Sequence, residues 1–343
     1  MKELSENSIT PVVQGSTIYD VAEVAAVSIT TVSRFLNSPE KVNAQTSRKI
    51  REAIDKLSYI PHGNTGSKSK RQVGRIGVIT PFFPAPSFVQ RLQGMTAVLR
   101  QHHCELVIYT VDSPEQLDEY LHSIPFAKRL DGVIIMSMQI DPAASSRLDR
   151  AGLPVVLVEQ SHPSFSGVEC DNRLGGALAA RHFLDKGYLP CGFVGEALVP
   201  PYSLRPSEVR WQGYEEALKQ AGVLVAPQHV ALGETTVDSG YALGRKLLDR
   251  ADRPRALFAM SDLQAIGLLK AARELGLAVP GDVALLGFDD IEAAGWLGLS
   301  TVSQNLAESG RLAAELLMSR IREPQRPQQL IHLKVEVIPR STT

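Results

Sequence analysis

The length, composition and charge of the chain limit what it can be. Its 343 residues, 44% hydrophobic and 21% charged, are too many for one ordinary domain, and a net charge of −1 does not suggest a uniformly basic DNA binder. The first 15 residues lack the apolar run of a secretion signal, and no stretch approaches the roughly 18 apolar residues of a membrane span, so we expect a cytoplasmic protein.

The charge is divided unevenly along the chain. Residues 1–72 carry 10 Lys and Arg against 7 Asp and Glu, or +3, which leaves 26 against 30, or −4, for residues 73–343. Basic side chains that displace counterions supply the sequence-independent part of DNA affinity. The N-terminal part is therefore the better candidate to face phosphates.

Residues 17–61 predict three short amphipathic helices behind a polar N-terminal extension over residues 1–16. Thr17 and Asp20 have the spacing of a capping box, and apolar residues recur on one face of the helix that follows. Ser28 can cap a second helix and Asn43 a third. Two short helices joined by a few residues form a helix-turn-helix, whose second helix presents its N-terminal side chains to the major groove.

The second helix carries the candidate DNA-reading side chains. Thr30 can hydrogen-bond to a base edge, and Ile29 can contact a thymine methyl group. Ser33 and Arg34 would reach bases or phosphates. The DNA-binding residues expected in this region are Tyr19, Ser28, Ile29, Thr30, Thr31, Ser33, Arg34 and Asn37.

Residues 62–73 predict a basic linker between two domains. The segment contains Lys68, Lys70 and Arg71 and no acid, and its glycines are typical of a flexible connection. We expect these three side chains to contact DNA phosphates. The alternative is a solvated linker without a role in DNA binding.

From residue 74 onward, short apolar strands alternate with longer helices. The predicted strands are 75–80, 106–110, 132–136, 155–158, 192–195, 257–260 and 283–288. The predicted helices are 88–102, 114–127, 174–186, 209–221, 239–251, 262–275 and 306–322. This order predicts an α/β core of doubly wound parallel sheets, whose ligands bind beyond the carboxyl ends of the strands. About 270 residues fit two such lobes better than one.

Motifs along nearly the whole chain resemble the lactose/galactose-repressor family. In the N-terminal region, the match lies in Asp20-Val-Ala, Val27-Ser, Thr31-Val-Ser-Arg34, Asn37 and Tyr59-Ile-Pro61. In the core, it lies in Val168-Glu-Cys-Asp-Asn172, Arg210-Trp-Gln-Gly213, Ser261-Asp262, Pro280-Gly-Asp-Val283 and Gly287-Phe-Asp-Asp290. The resemblance implies a transcription repressor: a helix-turn-helix headpiece followed by a two-lobed core like that of periplasmic sugar-binding proteins.

The resemblance also implies boundaries and partners. The headpiece would span residues 17–61, the first lobe about 74–170 and 302–331, and the second lobe about 171–301 and 332–343. A homodimer would bind double-stranded operator DNA. A small effector, a sugar or sugar derivative, would lie between the lobes and control operator affinity.

The resemblance assigns four residues to the effector site, and the need of sugar recognition for an apolar wall adds a fifth: Glu159, Arg210, Ser261, Asp289 and Phe83. Arg210 and Asp289 match the family's effector-binding arginine and aspartate, and a purely structural ion pair is the alternative. Phe83 would supply an apolar wall beside the ligand, with packing at the lobe edge as the alternative.

Two departures from the family pattern affect these expectations. Ala26 stands where family members usually have glycine, the residue best able to adopt a left-handed turn, so we expect a mildly strained link. The family's hinge helix, whose leucine wedges into the minor groove, has no counterpart, because Lys68 falls near the expected leucine and two glycines oppose a helix. Operator binding would then rely more on the linker's basic side chains.

Catalysis has little support in the sequence. The eight histidines include one close pair, His102 and His103, and no His-x-x-His, Cys-x-x-Cys or glycine-rich phosphate loop occurs, so we expect no metal or other cofactor. The three cysteines are far apart and are expected to be reduced. Two other classes remain open: a sugar-binding transport or chemoreception protein, which the headpiece contradicts, and a sugar-modifying enzyme, which lacks a nucleophile, base or metal set.

Overall fold

The computed structural model describes residues 16–38, 41–57, 59, 74–127 and 129–343. The N-terminal part is a three-helix headpiece made of α1 (Ile18–Val24), α2 (Ile29–Asn37) and α3 (Ala44–Leu57). All three predicted caps are confirmed: Thr17 and Asp20 form a capping box, Ser28 Oγ accepts from Thr31 N–H at 3.1 Å, and Asn43 Oδ1 accepts from Thr46 N–H at 2.8 Å.

The headpiece has its own small core and, as predicted, a strained link before α2. Val21, Val32, Phe35 and Ile50 come together from the three helices and are almost completely buried. Ala26, in the link between α1 and α2, has φ +53°, the left-handed region that disfavours residues with a Cβ atom. The linker over residues 62–73 lies outside the described residues.

The first lobe begins directly after the linker with β/α units around a parallel sheet. Its elements are β1 (Gly74–Thr80), α4 (Pro86–Gln101), β2 (Cys104–Thr110), α5 (Pro114–Ala127), β3 (Gly132–Met136), α6 (Pro142–Arg150), β4 (Val155–Val158) and β5 (Ser166–Cys170). The chain then crosses to the second lobe.

The second lobe repeats this plan. Its elements are α7 (Asn172–Asp185), β6 (Cys191–Glu196), α8 (Pro206–Gln220), β7 (Val230–Gly233), α9 (Val237–Leu248), β8 (Ala256–Ala259), α10 (Asp262–Glu274), β9 (Ala284–Asp289), α11 (Glu292–Leu297) and β10 (Ser300–Ser303). The chain returns to the first lobe through α12 (Leu306–Arg322) and β11 (Leu330–Leu333), and β12 (Glu336–Ile338) adds to the second lobe.

The two sheets have the same strand order. The first runs β11-β5-β4-β3-β1-β2 and the second β12-β10-β9-β8-β6-β7, and every neighbouring pair is parallel except β10 with β12. Buried apolar side chains, which include several aromatic rings in the second lobe, fill the space between each sheet and its helices. The expected doubly wound α/β core with two lobes is confirmed. Among the described helices, none is long and apolar enough to span a membrane.

Candidate functional site

The second headpiece helix, α2, separates an inner face from an outer face. Val32 and Phe35 are buried in the headpiece core, whereas Thr30 and Arg34 are exposed and Ile29 is 41% exposed. The cap places the N-terminus of α2 at the surface. These three side chains are therefore free of core packing and can meet the edges of bases.

The other expected DNA-binding residues are placed differently. Tyr19 on α1 is 66% exposed, and Ser28 Oγ and Thr31 Oγ1 lie 2.8 Å apart in a hydrogen bond that belongs to the cap. Ser33 is half-buried. The Asn37 side chain and residues Lys68, Lys70 and Arg71 lie outside what the structure describes.

A cavity of about 130 Å3 lies between the two lobes, beyond the carboxyl ends of their strands. Four of the five expected effector residues meet there: Glu159 from the first lobe and Arg210, Ser261 and Asp289 from the second. Phe83, the fifth residue expected at the effector site, does not line the cavity; its neighbour Phe82 does, which corrects that expectation. Both residues follow β1 and are similarly exposed, at 42% and 41%, but the Phe82 ring lies 6.0 Å, centroid to centroid, from that of Phe88, which also lines the cavity.

Arg210 is held rigidly on the second-lobe side. Its guanidinium lies 3.6 Å from the centre of the Phe288 ring, and it donates from Nε to Asn172 Oδ1 at 2.9 Å and from Nη1 to the Met260 carbonyl at 2.6 Å. The Asp289 carboxylate lies 3.8 Å from Nη1. An arginine 2% exposed with these partners is oriented before any ligand arrives.

Burial shifts two carboxyl groups of the cavity wall, those of Asp289 and Glu196, towards the neutral form. Burial raises the pKa of Asp289 to about 6, although Arg210 and Arg91 act in the opposite direction. Burial also raises the pKa of Glu196, which accepts a hydrogen bond from Thr235 Oγ1 at 3.2 Å. These oxygens can accept hydrogen bonds from hydroxyl groups.

Sequence reasoning missed the main cation of the first lobe. Arg91 on α4 is 2% exposed, donates from Nη2 to Glu159, and donates from the same nitrogen to Gln304 Oε1 at 3.0 Å. Gln304 Nε2 in turn donates to Asp289 Oδ1 at 2.6 Å, so a chain of hydrogen bonds joins the two lobes through the cavity wall. A signal was present in the sequence, since Arg91-Leu-Gln-Gly94 repeats the pattern of Arg210-Trp-Gln-Gly213.

Backbone strain is concentrated at the same cavity. Four residues that line it have positive φ although none is glycine: Phe82 at +54°, Ser137 at +52°, Glu159 at +69° and Asp289 at +121°. Such conformations cost on the order of 1–3 kcal/mol each and collect where function requires a fixed side-chain direction. The strain is a second feature, beside the motifs, that makes this cavity the candidate binding site.

Two family descriptions match the chain in the expected order. The description "Bacterial regulatory proteins, lacI family" matches residues 17–62, and "Periplasmic binding protein-like domain" matches residues 180–343. The ribose operon repressor of Escherichia coli (strain K12) is 28% identical over 326 residues, which is 93% of this chain and 97% of the relative.

Solved structures show the same similarity in three dimensions. The transcriptional regulator CelR in complex with cellobiose has a TM-score of 0.69 at 28% identity, covering 96% of this chain and all of the other. A LacI family transcriptional regulator from Enterococcus faecium with bound ribose has a TM-score of 0.68 at 26% identity, covering 78% of this chain and 98% of the other.

Proposed function

Because the chain belongs to the lacI family of bacterial regulatory proteins, we propose that it is a cytoplasmic repressor controlled by a sugar or sugar derivative. The sugar binds between the lobes and changes the affinity of the headpiece for operator DNA. The observation that carries this proposal is the convergence of Glu159, Arg210, Ser261 and Asp289 on one interlobe cavity, in a chain whose α2 exposes Thr30 and Arg34.

The chemistry of the cavity fits a polyhydroxylated ligand. Arginine and carboxylate side chains each form two directed hydrogen bonds, and a sugar hydroxyl both donates and accepts. Phe82, Leu204 and Ile291 supply apolar surface for the C–H face of a ring. A transport protein of the same core architecture would leave the headpiece without a role.

Contacts from both lobes give the ligand a means of control. Glu159 belongs to the first lobe and Arg210 and Asp289 to the second, so a ligand that touches all three favours one arrangement of the lobes. Operator affinity changes if the headpieces bind DNA better in one arrangement than in the other. Asn172 and Gln304 lie where the chain crosses between the lobes. Asn172 accepts a hydrogen bond from Arg210, and Gln304 donates one to Asp289, so the site is connected to the crossing segments.

Loss of the Asp289 carboxylate tests the effector site. A thermal-shift screen against sugars and phosphorylated sugars first identifies a ligand, since binding to the folded state alone raises Tm. Asp289→Ala should lose stability, because the buried Arg210 loses its carboxylate partner, but should still fold and bind operator. Its ligand affinity should fall about tenfold to over a hundredfold, the value of a hydrogen bond of about 1.5–3 kcal/mol. If Asp289→Ala and wild type release operator at the same ligand concentration, Asp289 is not in the effector site.

The operator should mirror the symmetry of the protein. A homodimer presents two headpieces related by a twofold axis, so it should bind a palindromic site whose half-sites have a fixed spacing. Analytical ultracentrifugation of the protein–operator complex should show two chains on one site. A single chain bound to an asymmetric site would contradict the proposal.

A further inference from the structure

The two lobes hold an arginine at the same point of equivalent helix pairs. Arg91 lies on α4 and Arg210 on α8, the helices that follow the first strand of each lobe, and each is three residues before a glycine. A Cβ atom added at Gly310 of α12 would lie 1.9 Å from the Arg91 carbonyl oxygen, and one at Gly176 of α7 would lie 2.0 Å from that of Arg210. Both helix pairs are therefore in backbone contact at the arginine, which fixes its position.

The acids and serines of the cavity follow the same repeat. Glu159 comes directly after β4 and Asp289 ends β9, and these strands occupy the same place in their sheets. Ser137 follows β3 and Ser261 follows β8, the strands next along. Each lobe thus presents one arginine, one carboxylate and one serine to the cavity.

The two sets differ in how much of their hydrogen-bonding capacity is used. Arg210 Nε is bonded to Asn172, and Ser261 Oγ accepts from Gln264 N–H at 3.3 Å. Within the described residues, Arg91 Nε and Ser137 Oγ are buried and have no partner. A buried polar group without a partner is costly, so such groups at a cavity wall indicate a ligand that bonds to them.

We infer that Arg91, Ser137 and Glu159 form a second half-site, which reads the ligand from the first lobe as Arg210, Ser261 and Asp289 read it from the second. Arg91 is then a specificity-determining residue. This inference rests on the proposed function, since it concerns the same ligand and the same cleft.

The charges in the two half-sites select an uncharged ligand. Each arginine already faces a carboxylate, Arg91 with Glu159 and Arg210 with Asp289, and Glu196 adds a third acid. A phosphate or carboxylate on the ligand would lie beside these acids without a free cation to balance it. The cavity of about 130 Å3 is comparable to the engineered cavity of about 150 Å3 that holds benzene, so one ring fits.

Affinities of deoxy sugars test whether Arg91 reads a particular hydroxyl. Calorimetry would compare the full-length wild type with Arg91→Met/Glu159→Gln, which avoids an unpaired buried charge, and with Arg100→Met, an exposed control on the same helix. The probes are D-aldopentoses, D-aldohexoses, their monodeoxy derivatives and their phosphates. In wild type and the Arg100 variant, removal of one particular hydroxyl should lower affinity about tenfold or more; the double variant should bind the parent sugar more weakly and be insensitive to that removal.

The outcomes separate this inference from the proposed function. Equal sensitivity of wild type and the double variant to every deoxy sugar, binding of phosphorylated sugars alone, or binding of no sugar would overturn the half-site. Operator binding by the wild type is measured in parallel by fluorescence anisotropy. If a neutral sugar or its phosphate releases the operator, the proposed function stands whatever the result for Arg91; if the wild type does not bind operator DNA, the proposed function fails.

A separate cluster of charged residues joins the headpiece to the first lobe. Asp55 on α3 lies 3.4 Å from His122 Nε2 on α5 and 3.6 Å from Arg147 Nη1 on α6, and Arg51 Nη1 lies 3.7 Å from Asp118 of α5. Asp118 also contacts His122 and Arg147, at 3.0 and 3.8 Å. His122 and Arg147 are buried, whereas the side chains of Asp55 and Asp118 are 38% and 51% exposed, so the cluster lies at the edge of the contact between the headpiece and the first lobe.

We propose that this cluster docks each headpiece onto its own first lobe and carries lobe movement to α2 by a route other than the linker. The side chains expected to read DNA stay accessible in the docked state, since Thr30 and Arg34 are exposed. Docking therefore sets the position of the headpiece without covering its DNA-reading face. In a dimer, a change in the lobes would alter the spacing of the two headpieces directly.

Charge reversal tests the docking. In the full-length protein, Asp55→Lys should speed hydrogen exchange in residues 114–127 and 142–150 and weaken the effect of ligand on operator affinity, whereas Glu52→Lys, an exposed change of the same charge on α3, should do neither. Adding Arg147→Asp to Asp55→Lys should restore slow exchange. Equal exchange in wild type, Asp55→Lys and Glu52→Lys would overturn the proposal.

Discussion

The headpiece and the cleft hold their functional side chains in opposite environments. On α2, Thr30 and Arg34 are exposed, and the helix needs only a local serine cap to place them. In the cleft, Arg210 and Asp289 are at most 9% exposed, and Asp289 also has positive φ. An exposed side chain can change without cost to the fold, whereas a buried pair is part of the core. DNA specificity should therefore be separable from stability, and effector specificity should not.

The largest expected difference is between two arginine substitutions. Arg210→Ala leaves Asp289 buried without its cation and removes the contact with Phe288, so we expect the free energy of unfolding to fall by about 3–5 kcal/mol. Arg34→Ala on α2 should change it by less than about 0.5 kcal/mol while weakening operator binding. Urea unfolding of both variants checks this, and equal losses of stability would break the comparison.

The headpiece itself should divide sequence choice from general affinity. Replacing Thr30 should change the preferred operator bases, a discrimination of about 1–3 kcal/mol per base pair. Lys68→Ala or Lys70→Ala should weaken all sequences alike and lower the salt slope by about one for each phosphate that is no longer neutralised. Operator titrations at several salt concentrations, with variant operator sequences, measure both the base preference and the salt slope. Lysine variants that altered base preference and left the salt slope unchanged would contradict the division.

How much of each region could be predicted follows from the range of its interactions. A cap joins residues three positions apart, so Thr17, Ser28 and Asn43 indicate the headpiece helices locally. Long helices of the core were also predicted closely, with 114–127 and 306–322 matching α5 and α12 at both ends. The strands β5, β7, β10 and β11 and the helices α6 and α11 were missed. Length alone is not the reason, because β4 is also four residues long and was predicted from its uninterrupted apolar run, which the polar residues of β5 and β10 do not provide.

The cleft was predicted less completely because its partners are distant in sequence. Arg91 binds Glu159 and Gln304, which are 68 and 213 residues away, and no local pattern links them. Phe82 and Phe83 could not be told apart from the sequence, because two adjacent phenylalanines in a loop show no periodicity; in the structure Phe82 lines the cavity and has positive φ. The resemblance supplied the second-lobe residues. The repeat that marks Arg91 becomes evident only when the structure shows that the two sheets have the same strand order.

Acidity should affect the cleft more than the headpiece. Burial raises the pKa of Asp289 from 3.8 to about 6, with Glu159 acting in the same direction and Arg210 and Arg91 against it. A raised pKa means that the folded state holds the proton more tightly than the unfolded state, so the stability from this group is complete below about pH 4 and is lost as pH rises through 6.

Asn at position 289 isolates that contribution because it does not titrate. The stability of wild type relative to Asp289→Asn should fall by about 1 kcal/mol between pH 5 and pH 7, the part of a shift of about two pKa units that lies in this window. Chemical denaturation of both proteins at the two pH values measures it. A difference that stays constant or grows with pH would show that Asp289 is ionised throughout.

The smallest expected effect concerns strain that serves no binding purpose. Ala26 has φ +53° in the link before α2, and glycine adopts this conformation without the steric cost of about 1–2 kcal/mol. Glycine also gains freedom in the unfolded chain, so Ala26→Gly should stabilise the headpiece by only about 0.5–1 kcal/mol. Ala25→Gly is the matched control, since Ala25 has φ −78° and is buried, and that change should destabilise. Hydrogen exchange of Ile18–Val24 in the full-length protein should slow in the first variant and quicken in the second. Glu159→Gly, at φ +69°, would also relieve backbone strain, but it would remove a carboxylate from the cleft. We therefore expect a glycine substitution to relieve strain without loss of function in the headpiece and not in the cleft.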